Sequence, residues 1–240
     1  MNMSWKLFRI GMRQILRDGM LLMLIPAPFL MGAALRVILP LADGLLSREL
    51  HFSIAPWYPL SDALVMVLTP LMVAMVSAFL ILDERDEGTG TYYLVTPAGG
   101  GAYLLARLGY PMLWAFLVTL VVVRLLGLAL TDPAMLLVAA FLGALQAVIG
   151  SMLLVVFAGN KVEGLALSKL TNFLMLGLPA AWFIASPYRY LFAVLPSFWI
   201  GEAILGREAG GGLLLPVLAG AALSLLWIVL LTRQFLRRVR

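Results

Sequence analysis

The side chains best suited to chemistry in this sequence are carboxylates, and they are concentrated at one point. Four of the twelve acidic residues lie within five positions, namely Asp83, Glu84, Asp86 and Glu87. They are followed by the run GTGTYYLV (88–95), in which two tyrosines add aromatic surface. Acids beside aromatic residues suit a surface that docks a protein partner, because aromatic side chains are enriched at interface cores. The alternative is a solvated loop whose acids bind nothing specific.

Other kinds of site lack their residues. The sequence has no G-x-x-x-x-G-K-[ST] motif, and no Lys follows the glycines at 99–101, so no P-loop binds ATP here. His51 is the only histidine, and there is no cysteine. A histidine-based protease, a multi-histidine metal site and disulfide bonds are therefore excluded. We expect no catalytic residue, metal or cofactor in this chain.

The composition places the chain in a membrane. Hydrophobic residues make up 63% of the chain and charged residues 12%, against about 25% charged in an ordinary soluble domain. A globule of 240 residues cannot bury so much apolar surface. The net charge of +5 does not indicate nucleic acid, because most basic residues flank apolar runs, where they set topology and contact lipid headgroups.

Charged residues divide the chain into segments long enough to cross a bilayer. A spanning helix needs about 20 mostly apolar residues, and this spacing recurs along the whole chain. It predicts an all-α membrane protein that forms a single transmembrane domain, 1–240. The six predicted spans are 19–41, 62–82, 108–131, 133–158, 169–187 and 211–232.

The basic residues predict the orientation. If both termini lie on one side, twelve Lys and Arg residues fall on that side and four on the other. Because cytoplasmic loops carry the excess of Lys and Arg, both termini are predicted to be cytoplasmic. No small-residue cleavage site follows the first apolar run, so we expect it to remain as an uncleaved span.

An amphipathic helix is predicted at 4–17. Four basic residues recur there at steps of three and four, and four apolar residues lie towards the opposite face. This pattern is typical of a helix lying along the membrane surface with its basic side towards lipid headgroups. The alternative is a basic flank that only orients the first span. The basic residues are Lys6, Arg9, Arg13 and Arg17; the apolar ones are Trp5, Phe8, Met12 and Ile15.

The acidic cluster falls in the first cytoplasmic loop, between the second and third spans. Acids are favourable at the start of a helix, so we predict a short cytoplasmic helix over 84–97. Thr96-Pro97 ends it, and the glycines at 99–101 form a hinge back to the membrane.

The remaining charges have less specific interpretations. The second cytoplasmic loop contains Asn160, Lys161 and Glu163, for which topology anchoring and a local ion pair are sufficient. Arg124 lies inside the third span, about 10 Å from its outer end at about 1.5 Å per residue. It either reaches the interface or lines a substrate path. Asp62 and Asp132 lie at predicted span ends and form no evident proton relay.

The outer segment before the last span is apolar but short. Its uncharged stretch, 190–201, has twelve residues and is too short to cross a bilayer. We predict an interfacial or partly re-entrant helical segment over 188–205, broken at Pro196 and anchored at the interface by Trp199. A plain outer loop is the alternative, although so apolar a loop would be poorly solvated.

Three local motifs in this order resemble one family. DERDEGTGTYYLVTP (83–97), GNKVEGLALSK (159–169) and LPSFW (195–199) are similar to segments of the permease subunit of type-2 ATP-binding-cassette exporters. The resemblance covers essentially the whole chain and is closest to bacterial drug-export permeases, including those for fluoroquinolones. It implies a multi-pass protein of the bacterial inner membrane.

The resemblance also implies a role for the acidic loop. In such exporters the helix after the second span is the coupling helix, which docks on a separate ATPase subunit that binds ATP and Mg²⁺. A second copy or paralogue of the permease completes the pore, through which an amphipathic or lipid-like substrate is moved. Pro196 and Trp199 would belong to the outer gate. By this resemblance Glu84, Glu87, Gly88, Thr89 and Tyr92 would contact the ATPase, with Arg85 and Asp86 at the rim. Tyr92 and Tyr93 depart from the family pattern, in which aliphatic residues are usual.

Two other functions remain open from the residues alone. An ATP-independent membrane protein that acts on lipids, either an enzyme or an accessory factor, would need a polar cluster at one membrane depth. A secondary transporter would need ionisable residues near the midplane or paired interrupted helices. Neither arrangement is clear in the sequence.

Overall fold

The computed structural model describes residues 3–89 and 99–239, and within them every regular element is helical. The α-helices in this part of the chain are α1 (Met3–Arg17), α2 (Gly19–Leu24), α3 (Ala27–Glu49), α4 (Tyr58–Asp86), α5 (Gly99–Leu104), α6 (Tyr110–Leu126), α7 (Pro133–Phe157), α8 (Lys161–Thr171), α9 (Gly177–Phe183), α10 (Pro196–Glu208) and α11 (Leu214–Val239). A π-helical turn, Leu105–Gly109, joins α5 to α6.

Six helical segments of the described chain are long and apolar enough to cross a membrane, so the predicted all-α membrane fold is confirmed. They are Gly19–Glu49, Ala55–Asp86, Gly101–Leu126, Pro133–Phe157, Lys161–Phe183 and Leu214–Arg237. The first two run past the predicted ends of the apolar stretches, because a helix continues beyond the hydrocarbon into the polar interface.

The centre of the bundle is formed by α4 and α7. The most apolar stretches of their spans are 72% and 83% buried, whereas that of Gly19–Glu49 is 17% buried. Small residues allow the two central helices to approach each other closely. A Cβ at Gly150 would lie 3.3 Å from the Cβ of Ala74. The hydroxyl of Ser151 donates to the Ala74 carbonyl oxygen at 2.9 Å.

Helix α1 packs on this bundle by one face. Leu7, Gly11 and Ile15 are buried, and the basic residues of the opposite face are exposed. The rings of Trp5 and Phe8 stack with centroids 5.4 Å apart, and both meet the ring of Tyr110. An amphipathic helix is therefore present where the surface helix was predicted, and this surface helix packs against α4 and the π-helical turn. We call the end of the bundle that carries α1 and the end of α11 the terminal face.

On the opposite face, Asp62 organises the connection between α6 and α7. Its buried carboxylate accepts hydrogen bonds from the backbone N–H groups of Leu128, Ala129 and Leu130, at 2.8–3.0 Å. The next acid, Asp132, caps α7 by accepting from the N–H of Ala134 at 2.9 Å. Two acids at predicted span ends thus fix the turn between neighbouring spans.

The segment before the last span folds back into the bundle. A 3₁₀ helix, Tyr188–Val194, is followed at Pro196 by α10, whose residues are largely buried against α7, α9 and α11. Glycines allow α9 and α10 to approach each other closely. A Cβ at Gly201 would lie 2.8 Å from that of Ala181, and a Cβ at Gly177 would clash with the backbone N of Phe198.

Replacing Gly177 by Ala tests how tightly this hairpin is packed. The added methyl meets backbone that cannot give way, so we expect Gly177→Ala to reduce stability by about 1–3 kcal/mol. Gly206→Ala in α10 is the matched control, because nothing lies within 4 Å of the added carbon. Thermal unfolding of the purified protein in detergent measures both. Equal melting temperatures for the two variants would show that the α9–α10 contact is not tight.

Candidate functional site

The acidic cluster ends a helix instead of beginning one. Asp83, Glu84 and Asp86 lie in the last turn of α4, so the predicted start of a separate helix at 84 is wrong. Acids are unfavourable at a helix C-terminus, where the backbone carbonyl groups carry partial negative charge. Basic groups from two other parts of the chain, Arg107 and Lys161, offset this cost.

Glu84 forms the deepest of these contacts. Its side chain is fully buried and receives two hydrogen bonds from Arg107, one of them from Nε to Oε2 at 3.0 Å. The hydroxyl of Tyr103 donates to the same Oε2 at 2.9 Å. The prediction that Glu84 contacts a partner protein is therefore corrected, because no face of this carboxylate reaches solvent.

Arg107 connects Glu84 to the surface helix. Its Nη1 donates to the backbone carbonyl of Leu7 in α1 at 2.9 Å, and its own carbonyl accepts from the hydroxyl of Ser77 in α4. Gly11 leaves room for the guanidinium, since a Cβ there would clash with Nη1. The π-helical turn that contains Arg107 departs from the regular helix at this point, as such turns frequently do at functional sites. One buried side chain thus ties together α1, α4 and the start of α6.

Lys161 forms a second junction at the terminal face. Its Nζ lies 2.6 Å from Asp18 Oδ2 and 2.8 Å from Asp83 Oδ2, and its backbone N–H donates to Asp86 at 2.9 Å. Asn160 caps α8 by accepting from the N–H of Glu163 at 2.8 Å. The sequence predicted only a local ion pair for Lys161; its partners are instead remote in sequence.

Arg85 joins the end of α4 to the end of α7. Its two Nη atoms donate to the carbonyl oxygens of Ala158, at 2.6 Å, and Val155, at 3.0 Å. These carbonyl groups lie at the C-terminus of α7, where a cation is favourable and further donors are needed. Arg85 therefore serves the packing of two central spans.

The part of the cluster that faces solvent is small. Asp86, Glu87 and Gly88 are exposed, and Gly88 reverses the chain with a φ of +71°. Thr89 is half-buried, and its hydroxyl donates to the carbonyl of Glu84 at 3.2 Å. We call residues 86–88 the acidic turn. Tyr92 and the rest of the predicted helix to 97 lie outside the described residues.

The hydrogen bond from Lys161 also changes the acidity of Asp18. It holds the pKa of Asp18 below its ordinary value of 3.8, against an opposing effect of burial. Asp18 also caps α2 by accepting from the N–H groups of Met20 and Leu21. Asp18 thus stays charged at neutral pH and holds the joint between α1 and the first span.

The residues predicted for an outer gate lie on the opposite face. Pro196 is buried as the first residue of α10, and Trp199 donates from Nε1 to the carbonyl of Ala193 at 2.8 Å. The ring of Trp199 also contacts α11, where a Cβ at Gly220 would lie 2.8 Å from its Cβ. Trp199 therefore joins the 3₁₀ helix, α10 and α11.

Arg124 is nearer a helix end than predicted. Helix α6 ends at Leu126, two residues beyond Arg124, because the chain turns at Gly127 to meet Asp62. Arg124 is exposed on the outside of this chain. A separate ion pair on this face joins Arg207 of α10 to Asp132 of α7.

Arg107, Tyr103 and Asp18 are central to the site and were not selected from the sequence. By sequence Arg107 is only a basic residue next to a predicted span, and its distance of 23 positions from Glu84 gives no periodic signal. Among the described residues, no group of three His, Asp or Glu side chains could hold a metal ion. The ion pairs and hydrogen bonds of this arrangement link α4 to α1, α7, α8 and the turn before α6.

Comparison with known proteins identifies close relatives. The family model described as "Fluoroquinolones export permease protein Rv2686c-like" matches residues 11–232. Two proteins of Mycobacterium tuberculosis are 31% identical over 231 residues, covering 92% of this chain and 90% of each relative. They are the fluoroquinolones export permease proteins MT2760, of strain CDC 1551 / Oshkosh, and Rv2686c, of strain H37Rv.

The buried ion pair can be tested by a double-mutant cycle. Arg107→Met leaves Glu84 charged and unpaired, so we expect a loss of about 3–5 kcal/mol in stability. Glu84→Leu leaves the guanidinium unpaired, with a loss of similar size. The double variant Glu84→Leu/Arg107→Met should recover most of that loss, because no buried charge remains. Additive losses in thermal unfolding would contradict a direct pairing of the two residues.

The Asp18–Lys161 pair gives a pH prediction. Asn caps a helix about as well as Asp, so Asp18→Asn removes the charge and keeps the cap. At pH 7 we expect a loss of up to about 1 kcal/mol. Because the pKa of Asp18 is lowered by folding, its charge stabilises the folded protein above pH 3.8. This stabilisation is lost as the pH falls further and the carboxylate becomes protonated. The difference in melting temperature between wild type and variant should therefore shrink between pH 4 and pH 3, and a constant difference would argue against the ion pair.

Proposed function

Because this chain belongs to the Rv2686c-like family of fluoroquinolone export permeases, we propose that it is the membrane-spanning subunit of an ATP-binding-cassette exporter. The family makes it a multi-pass membrane permease of an exporter. The further steps proposed here are that a separate subunit hydrolyses ATP, that the acidic turn receives that subunit, and that the substrate is an amphipathic drug. The names of the relatives point to fluoroquinolones as the first substrates to test.

The observation that carries the proposal is the way the acidic turn is attached. Residues 86–88 project from the end of α4, one of the two most buried spans. An ion pair with Lys161 joins this end to α8, and hydrogen bonds from Arg85 join it to α7. The ion pair of Glu84 with Arg107 joins it to α1 and α6. A displacement of the turn would therefore move several spans together.

Glu84 has a different role in this proposal from the one the family resemblance implied. It is the joint behind the docking surface, and Asp86, Glu87 and Gly88 are the surface itself. Charged residues at the rim of an interface steer a partner and fix its register. The ATPase surface that receives the acidic turn should accordingly be basic.

Energy coupling requires more than contact. The exporter must have two conformations that differ in affinity for nucleotide and for substrate, since a ligand that binds both equally shifts neither. We propose that two permeases, either identical or paralogous, enclose the path and that two ATPases with ATP and Mg²⁺ close beneath them. Closure would push both acidic turns and rock α4 and α7 against their neighbours.

The basic residues support an orientation for this assembly. The terminal face carries the basic side of α1 and the end of α11, and cytoplasmic segments carry the excess of Lys and Arg. We propose that this face is cytoplasmic in a bacterial plasma membrane and that α10, with Pro196 and Trp199, belongs to the outer gate. Arg124 lies on the exposed side of α6, where the second permease or the path would meet it.

The docking assignment is tested by reversing one exposed charge. Glu87→Lys places a cation in the acidic turn, and we expect co-purification with the ATPase to fall about tenfold or more because like charges would then oppose. Glu49→Lys, on an exposed acid of the opposite face, is the matched control. The ATPase is identified by mass spectrometry and by its ATP hydrolysis. Unchanged recovery with Glu87→Lys, in a protein of normal melting temperature, would refute the docking site.

The ATP requirement has its own measurement. Membrane vesicles with the terminal face outward should accumulate a fluoroquinolone only when ATP and the ATPase are both present. Accumulation by the permease alone, without ATP, would instead support an ATP-independent transporter.

A further inference from the structure

A cavity of about 220 Å³ lies beneath the surface helix at the terminal face. Its walls come from α1, the start of the first span, α4 and α6. The lining includes Phe8, Met12, Ile25, Val76, Trp114 and Val118. Trp114 is 49% exposed, and Phe8, Met12 and Ile25 are half-buried, so this lining reaches the surface of the protein.

The polar side-chain atoms of the two most polar lining residues, Arg107 and Ser77, are already bonded within the protein. Each side-chain nitrogen of Arg107 donates to Glu84 or to the carbonyl of Leu7. The hydroxyl of Ser77 donates to the carbonyl of Arg107. A polar group placed inside would lose hydration and find few partners in the wall, which is unfavourable. The occupant must therefore be apolar where it enters.

A basic edge lies beside this apolar space. Arg9 precedes Met12 by three positions, so the two side chains are neighbours on α1 at the border between its basic and apolar faces. Arg13 follows Met12 directly, and both arginines are exposed. Trp5 stacks on Phe8 and meets Tyr110, and such aromatic residues are enriched at the depth of lipid headgroups. An apolar cavity beneath a basic, aromatic edge matches the two ends of an anionic lipid.

We propose that this cavity binds an acyl chain of an anionic phospholipid from the leaflet next to the terminal face, with the headgroup held by Arg9 and Arg13. The chain fills the space beneath α1 and completes its packing against α4 and α6. The chain gains van der Waals contacts with the walls of the cavity, and the arginines attract an anionic headgroup at the membrane surface. This lipid site does not depend on the proposed ATP-driven export.

The size and chemistry of the cavity favour a lipid chain over a transported drug. Pockets for drug-sized ligands have volumes of about 300–1,000 Å³ and a few well-placed polar groups. This cavity is smaller, and the polar atoms of Ser77 and Arg107 in its wall are already bonded within the protein. An acyl chain needs no polar partner, and only part of its length has to enter.

Photo-crosslinking locates the chain. The full-length protein is reconstituted in nanodiscs containing phosphatidylglycerol with a diazirine in its acyl chain, and the adducts are mapped by peptide mass spectrometry. We expect adducts on the peptides that contain Val76 and Trp114. An excess of phosphatidylglycerol should compete about tenfold better than phosphatidylcholine, as expected for two basic contacts.

Two pairs of variants separate the apolar and basic parts of the site. Val76→Phe fills the cavity, and Val121→Phe, on an exposed position of α6, is its matched control. Arg9→Gln/Arg13→Gln removes the headgroup contacts, and Arg233→Gln/Arg237→Gln, on exposed residues of α11, is the charge-matched control. We expect Val76→Phe to lower the cavity adducts about tenfold, and Arg9→Gln/Arg13→Gln to abolish the preference for phosphatidylglycerol.

Three results would overturn the proposal. Equal labelling in Val76→Phe and Val121→Phe would mean that the chain does not enter the cavity. Equal competition by phosphatidylcholine and phosphatidylglycerol in the wild type would show that the site does not select an anionic headgroup. Displacement of the lipid adducts by a fluoroquinolone would assign the cavity to the transported drug. The arginine variant changes only exposed residues, so its result stands even if Val76→Phe does not fold.

Discussion

The buried ion pair between Glu84 and Arg107 is the interaction on which the terminal face of this protein depends. Two charges placed in a nearly dry interior are costly unless every donor and acceptor is satisfied. Here the guanidinium donates to both carboxylate oxygens and to the carbonyl of Leu7, and the Tyr103 hydroxyl donates to Oε2 of the carboxylate. Because the partners lie on α1, α4 and the turn before α6, none of these elements can shift alone without exposing a buried charge.

The other charges at this face extend the same principle towards solvent. Lys161 is half-buried and holds Asp18 and Asp83, so it contributes less than Arg107 and is more sensitive to salt and pH. Arg85 supplies donors to the end of α7. The exposure of these charged groups therefore increases from the buried pair, through the partly buried ion pairs of Lys161, to the exposed acidic turn. In the proposed exporter, the exposed end of this series is the place where the ATPase would dock.

The opposite face is held by different means. Asp62 gathers three backbone N–H groups, and Asp132 both caps α7 and pairs with Arg207 of α10. Deeper in the bundle, glycines replace polar contacts and allow α9, α10 and α11 to pack at close range. Close packing of this kind gives discrete arrangements instead of continuous deformation. The two faces could therefore be coupled through α4 and α7, which run between them.

The sequence by itself determined the membrane class, the number of spans and the surface helix, because these follow from the lengths of apolar runs and from periodic basic residues. It also predicted a break at Pro196, where the structure has the first residue of a new helix after the 3₁₀ helix. The sequence could not determine which groups the acidic side chains contact. Whether Glu84 faces a partner or the protein interior depends on Arg107, and whether Lys161 pairs locally depends on Asp18. Only the tertiary structure brings these residues together, because the free energy of a buried charge is set by neighbours that are distant along the chain.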